Sequence, residues 1–150
     1  MSKKYIYIFT NTHSEGIVKI GRTDKYPEIR AEQLNRQTGT IGKYEVAWFR
    51  EVPDNVIAEQ IIHYALKELN FEKEYFYTDK QYAEVVCEKI LDSYFGLVED
   101  LREKRKNHLV TLIEGLYIAL EFKDIDSKHS TKELIKKLES ELTRLDTPSV

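Results

Sequence analysis

The chain has 150 residues, of which 41% are apolar and 33% charged, with a formal net charge of −3. That length suits one domain with an appendage, and the apolar share is enough for a real core. The mild acidity excludes a basic nucleic-acid coat, so any contact with DNA must come from a local patch.

Residues 5–9, rich in Tyr, Ile and Phe, suit a first strand. The turn formers NTHSEG follow, with Gly16 free to take a positive φ, and residues 17–21 return as a second strand. Pro27 opens a first helix, EIRAEQLNRQ, with Ile29, Ala31 and Leu34 available for packing and Gly39 as its terminator. Residues 43–52 form a third strand containing Val46, Trp48 and Phe49, and core packing suits Trp48 better than stacking on bases. Asp54 caps a second helix over 55–69, where Ile57, Ile61, Ala65 and Leu69 recur at helical spacing beside Ile62 and Leu66.

EYFYT is a short extended segment, and Thr78-Asp79-Lys80-Gln81 has the form of a capping box opening a third helix to about Phe95. Val85 and Val86 next to the lone Cys87 suggest a buried, inert thiol, and a single cysteine fits a reducing compartment. Gly96 reads as a hinge. Beyond it lie a leucine-rich helical stretch, a turn over Ser127–Ser130, a last helix to about Leu145 and a frayed tail, DTPSV. The organisation expected is therefore a compact part, residues 1–96, and a helical extension, 97–150. The stripe Leu109, Leu112, Leu116, Leu120 either pairs two chains as a homodimer or folds back on the first part.

No stretch approaches the roughly 20 apolar residues that span a bilayer, and the apolar part of MSKKYIYIF is too short for a signal peptide. A cytoplasmic protein without a membrane partner is expected. Charge is uneven along the chain. Residues 19–50 carry seven Lys/Arg against four acids, a local +3, and residues 51–99 four lysines against eleven acids, a local −7. The run REKRK at 102–106 reads as a solvated helix face.

Cutting a phosphodiester needs a cation to neutralise developing charge, a group that takes a proton from water, and donors for the phosphate oxygens. The sequence offers such groups on separate elements. Tyr5 and Tyr7 share one face of the first strand, and Lys19 and Gly21 share one face of the second. Arg30 lies in the first helix. Glu59 and His63, four residues apart, stack on one face of the second helix beside its apolar stripe, where both are partly buried.

In order, YIY at 5–7, KIG at 19–21 with Arg22-Thr23, Arg30, and Ala58-Glu59 with His63 resemble the GIY-YIG endonuclease superfamily. The likeness is to the small branch common in phages, whose second motif is Lys-Ile-Gly, and EYFYT resembles that branch's Glu-aromatic-Phe segment. The resemblance covers residues 4–86. It implies an α+β fold, a small three-stranded antiparallel sheet flanked by helices, and Mg2+-dependent (or Mn2+-dependent) hydrolysis of DNA by a single metal.

On that resemblance Glu59 is the metal ligand, Arg30 holds the scissile phosphate, and Tyr7 is the general base or its hydrogen-bond partner. Lys19 stands in a tyrosine's place, where its charge would favour the Tyr7 phenolate from within about 4–6 Å. Tyr5 replaces the first-motif glycine. Tyr5, Gly21, Arg22 and His63 are secondary candidates, and Arg22, Arg30, Arg36 and Lys43 are candidates for binding DNA. A second reading fits the same residues: a catalytically inactive module that kept the fold and binds nucleic acid or protein, for instance as a phage-encoded modulator of host defence.

Overall fold

The computed structural model describes residues 2–122 and 125–147, without the side chains of 125 and 126. Of the tail expected to fray, Pro148 to Val150 lie outside the described residues. The chain divides into two compact units, Met1–Ser93 and Tyr94–Val150.

The first unit is built on an antiparallel sheet. Its strands are β1 (Tyr5–Asn11), β2 (Ile17–Thr23), β3 (Tyr44–Glu51), β4 (Asn70–Glu72) and β5 (Tyr75–Tyr77), in the order β3-β1-β2-β5-β4. Three strands were expected, and five are present among the described residues. The two extra strands are three residues long, too short for a clear alternation of apolar and polar side chains. β4 occupies a stretch that follows directly on the predicted second helix. That helix, α2 (Asn55–Ala65), stops earlier, and a single 3-10 turn over Lys67–Leu69 leads into β4.

The register pairs Tyr5 with Thr23, Tyr7 with Gly21 and Phe9 with Lys19. Side chains directly opposite in an antiparallel pair share a face. Tyr5, Tyr7 and Phe9 therefore lie on the same side as Lys19 and Gly21. Helix α1 (Pro27–Asn35) lies against β3 and β1, and Tyr7, Phe9, Ala31 and Leu34 form a buried cluster with Tyr44, Val46 and Phe49 packed against it. The other face carries Ile6, Ile8, Val18, Ile20 and Phe76, all buried, with α2 lying against β2 and β1.

Several local expectations are corrected. Ala31 and Leu34 are buried as expected, but Ile29 is half-exposed and Pro27 is buried in its place. The helix ends at Asn35, whose side chain pairs with both backbone groups of Tyr44 at 2.7 and 3.0 Å, while Thr40 Oγ1 donates to the Leu34 carbonyl. Gly39 (φ +87) lies in the loop beyond rather than at the helix end. On α2 the buried stripe is Asn55, Ala58 and Ile62, continued by Leu66, one position out of phase with the predicted one. Asp54 caps this helix as expected, accepting from the N–H groups of Val56 and Ile57.

Helix α3 (Lys80–Leu120) begins in the first unit, where Asp79, not Thr78, accepts from the Tyr82 N–H. It passes through Gly96 without interruption, so the expected hinge is helix. Cys87 is fully buried, and burial together with the nearby Glu88 pushes its thiol up to about 12, as an inert cysteine requires. Trp48 Nε1 donates to Glu88 at 2.9 Å.

In the second unit, α4 (Ile125–Asp146) runs through Ser127–Ser130, where a turn was expected. Arg105 pairs with Glu141 and Lys106 with Asp146, both at 2.8 Å, tying α4 to the latter part of α3. Leu109 and Ile113 on α3 and Thr131 and Ile135 on α4 are buried, whereas Leu112 is exposed, so the leucine stripe is split. Among the described residues no helix is long and apolar enough to cross a membrane.

Candidate functional site

Gly21 is where the site comes together. A Cβ there would lie 2.5 Å from the Tyr7 hydroxyl and 3.0 Å from a Glu74 carboxylate oxygen. Only a residue without a side chain lets the phenol and the carboxylate close over β2 at this point. β5 pairs with β2 only as far as Lys19, and the Ile20 N–H is taken by the Glu74 carbonyl at 2.9 Å. Past that point the outer edge of β2 is open to side chains from α2.

Five charged side chains gather around this gap. Lys19 Nζ lies 2.7 Å from Glu74 Oε2. Arg22 Nε donates to Glu59 Oε2 at 2.9 Å, and the Glu59 side chain is only 17% exposed. Arg30, on α1, lies close enough to the Tyr7 hydroxyl to favour its ionised form. Tyr7 is 1% exposed, and its hydroxyl is pushed up to about 12. Burial is the main cause, followed by the Glu74 carboxylate. Arg30 opposes the shift, and Glu59 adds to it. Tyr7 is therefore a phenol at neutral pH. The expectation that Lys19 would favour its phenolate is not met, because Glu74 holds that ammonium and itself drives the hydroxyl the other way.

Buried Asn55 sets the direction of α2. Its Nδ2 donates to the Thr23 carbonyl at 3.1 Å and to Asp24 Oδ1 at 2.8 Å. Glu59, one turn later, then faces Arg22, and one further turn on His63 meets the β2 edge. His63 Nε2 lies 2.8 Å from the Ile20 carbonyl, and its ring stands edge-on to Phe76. A carbonyl only accepts, so Nε2 carries a hydrogen and Nδ1 is the nitrogen left for base chemistry.

The remaining candidates lie elsewhere. Tyr5 is a packing residue, with ring centroids 5.9 Å from both Tyr26 and Phe49. Arg36, just past α1, is exposed and pairs with Glu32 at 3.4 Å. Lys43 is exposed, and its backbone N–H is held by Thr12. Neither is among the groups acting on Tyr7.

Sequence reasoning gave no role to Glu74 or Asn55. Glu74 opens the EYFYT segment, and the acid just before an alternating aromatic run was the available signal. Asn55 carried none, since its importance depends on what the turn after β2 brings to it.

Glu59 is a hard oxygen donor, and Arg22 engages one of its two carboxylate oxygens. Among the described residues no three His, Cys, Asp or Glu side chains gather to hold a metal. One carboxylate completed by water and phosphate oxygens is a normal arrangement for Mg2+, so the residues present fit such a cation.

Fold and site together define a small α+β domain that sets a buried tyrosine among two arginines, a lysine and two carboxylates. The chain belongs to the T5orf172 domain family, whose model matches residues 4–91. That family is associated with phage nuclease-type modules and suggests a nuclease-like or nucleic-acid-binding role with DNA as the partner. No curated protein and no solved structure matches the chain.

Proposed function

We propose that the protein is a GIY-YIG-type DNA endonuclease that uses Mg2+ or Mn2+. The observation that carries this reading is the meeting of Tyr7, Arg30, Glu59 and the Lys19–Glu74 pair around Gly21, supplied by five separate elements. Glu59 holds the cation, which when bound neutralises charge developing on the phosphate. Arg30 and Arg22 donate to the non-bridging oxygens. Tyr7, as a phenol, orients the attacking water. Glu74 accepts that water's proton as the new P–O bond forms, and the bond to the 3′ oxygen breaks with the electron pair going to that oxygen, which takes a proton from solvent. Lys19 holds Glu74 in place.

A cleavage assay tests this on supercoiled, linear and branched DNA with Mg2+. Wild type should cut, and Glu59→Ala and Arg30→Ala should each lower the rate by about a hundredfold or more, the usual scale for losing a group aimed at the transition state. Equal, residual cutting by all three proteins would mean contamination and sink the enzyme reading.

A non-catalytic nucleic-acid-binding module is the second reading. It is favoured by the two ion pairs, Lys19–Glu74 and Arg22–Glu59, which already satisfy the site's charges from within. Calorimetry separates the two readings: Mg2+ heat that vanishes in Glu59→Ala supports the nuclease, and no heat with or without DNA supports the module.

A further inference from the structure

Lys19 and Tyr75 do not only border the Gly21 cluster. They also line a groove of about 650 Å³ on the same face of the first unit. One wall is the β4–β5 hairpin, with Phe71 and Lys73. The other is the loop after α1, with Thr40 and Ile41. Tyr44 lies between the walls, its hydroxyl 2.6 Å from that of Tyr75, and Lys19 Nζ sits 4.9 Å from the centre of the Tyr75 ring.

Two features of this groove suit a binding surface. Phe71, in the hairpin wall, is 42% exposed, and its ring packs on that of Tyr77, which lies just outside the groove's lining and is 58% exposed, with centroids 4.1 Å apart. Both walls are also held in place. Asn70 Nδ2 donates to the carbonyls of Lys73 and Tyr75, and Lys73 is kept at φ 45, which a lysine seldom adopts. Across the groove Asn11 Nδ2 donates to the Ile41 carbonyl at 3.0 Å. A ligand here would find its surface already ordered, which lowers the entropic cost of binding.

Exposed rings next to lysines, continuous with a phosphate-binding cluster, are the chemistry of single-stranded nucleic acid. The Phe71 ring offers a π-face, and Lys73, beside Glu72 in the same wall, supplies an ammonium for the backbone. A paired base inside a duplex cannot present its face to such a wall. We propose that the groove takes unpaired bases of a DNA strand whose phosphate lies at the Tyr7–Arg30–Glu59 cluster, with Phe71, backed by Tyr77, as the stacking surface. This rests on the nucleic-acid reading above and adds to it a preference for unpaired DNA.

The test uses the full chain in EDTA, so that binding is read without cleavage. The probes are a single strand carrying 2-aminopurine and the matching duplex. Wild type should quench the single-strand probe and bind it more tightly than the duplex. Phe71→Ala/Tyr77→Ala should weaken single-strand binding by about tenfold or more and abolish the quench, leaving duplex affinity unchanged. Phe71→Tyr/Tyr77→Phe, which keeps both rings, should stay close to wild type.

Urea melting checks that the alanine variant folds. If it does not, Phe71→Ala alone makes the same comparison. A folded alanine variant that binds the single strand like wild type overturns the proposal, as does a wild type that gives no quench. Cleavage is scored separately. A protein that stacks the probe but never cuts would remove the nuclease reading and leave the groove. One that cuts but is indifferent to the alanine variant would remove the groove and leave the nuclease.

Discussion

The Tyr7 hydroxyl would need to be ionised to act as a base, and its surroundings oppose that. With its pKa near 12 the phenolate fraction at pH 7 is on the order of 10⁻⁵, which turns attention to Glu74 as the proton acceptor. The same burial has a consequence for stability. The fold favours the neutral phenol of Tyr7 and the neutral thiol of Cys87. That contribution is complete below the unfolded values, about 10 and about 9, and is lost as pH rises towards 12. For Tyr7 it amounts to about 2–3 kcal/mol. Urea midpoints measured at pH 8 and pH 11 should therefore fall steeply in wild type and less steeply in Tyr7→Phe. The fall that remains in the variant belongs to the other groups with raised values, the Cys87 thiol and the Tyr44 phenol among them. A slope identical to that of wild type would mean that Tyr7 ionises freely. At this scale Tyr7, Arg30 and Glu59 were legible because their residue types recur in order. The state of Tyr7 was not, because a pKa depends on neighbours that fold in from elsewhere.

Helix α2 shows how an element positions chemistry. Asp54 fixes where it starts, Asn55 fixes its direction, and Glu59 and His63 follow at single-turn intervals along one face. Removing the cap leaves the N–H groups of Val56 and Ile57 without their side-chain acceptor. Asp54→Ala should cost about 1 kcal/mol, read as a lower urea midpoint with an unchanged slope. A variant as stable as wild type would show that solvent satisfies those donors equally well. The helix, its cap and the i, i+4 pair were readable from periodicity. The buried stripe was misplaced by one position because α2 is apolar on more than one side, with Ile57, Ile61 and Ile62 all competing for the core. β4 and β5 lay below the length at which alternation carries a signal, so an edge of the sheet and the groove beside it went unread.

At the scale of the molecule, a net charge of −3 means that DNA affinity cannot come from bulk attraction. If Arg22, Arg30, Arg36 and Lys43 each neutralise one phosphate, the slope of log affinity against log salt is about −3 to −4 on duplex DNA. Arg36→Ala should make that slope shallower by about one. Filter binding across a salt series measures both, and an unchanged slope would take Arg36 out of the interface. Its distance from the Tyr7 cluster in function, as an exposed partner of Glu32, makes it the most informative of the four.

The amino-acid sequence by itself determined the α+β class, most of the longer elements, the inert cysteine and the identity of Tyr7, Arg30 and Glu59 as residues of interest. These follow from local periodicity, capping chemistry and the order of residue types, all of which survive in one dimension. Only the tertiary structure decided that β5 stops short at Lys19, that Glu74 meets Tyr7 across Gly21, and that Arg22 pairs with Glu59. Those facts depend on register and on which side chains burial forces together. Tyr5, in the position where the resemblance has glycine, is held among Tyr26 and Phe49, away from the charged cluster, for the same reason.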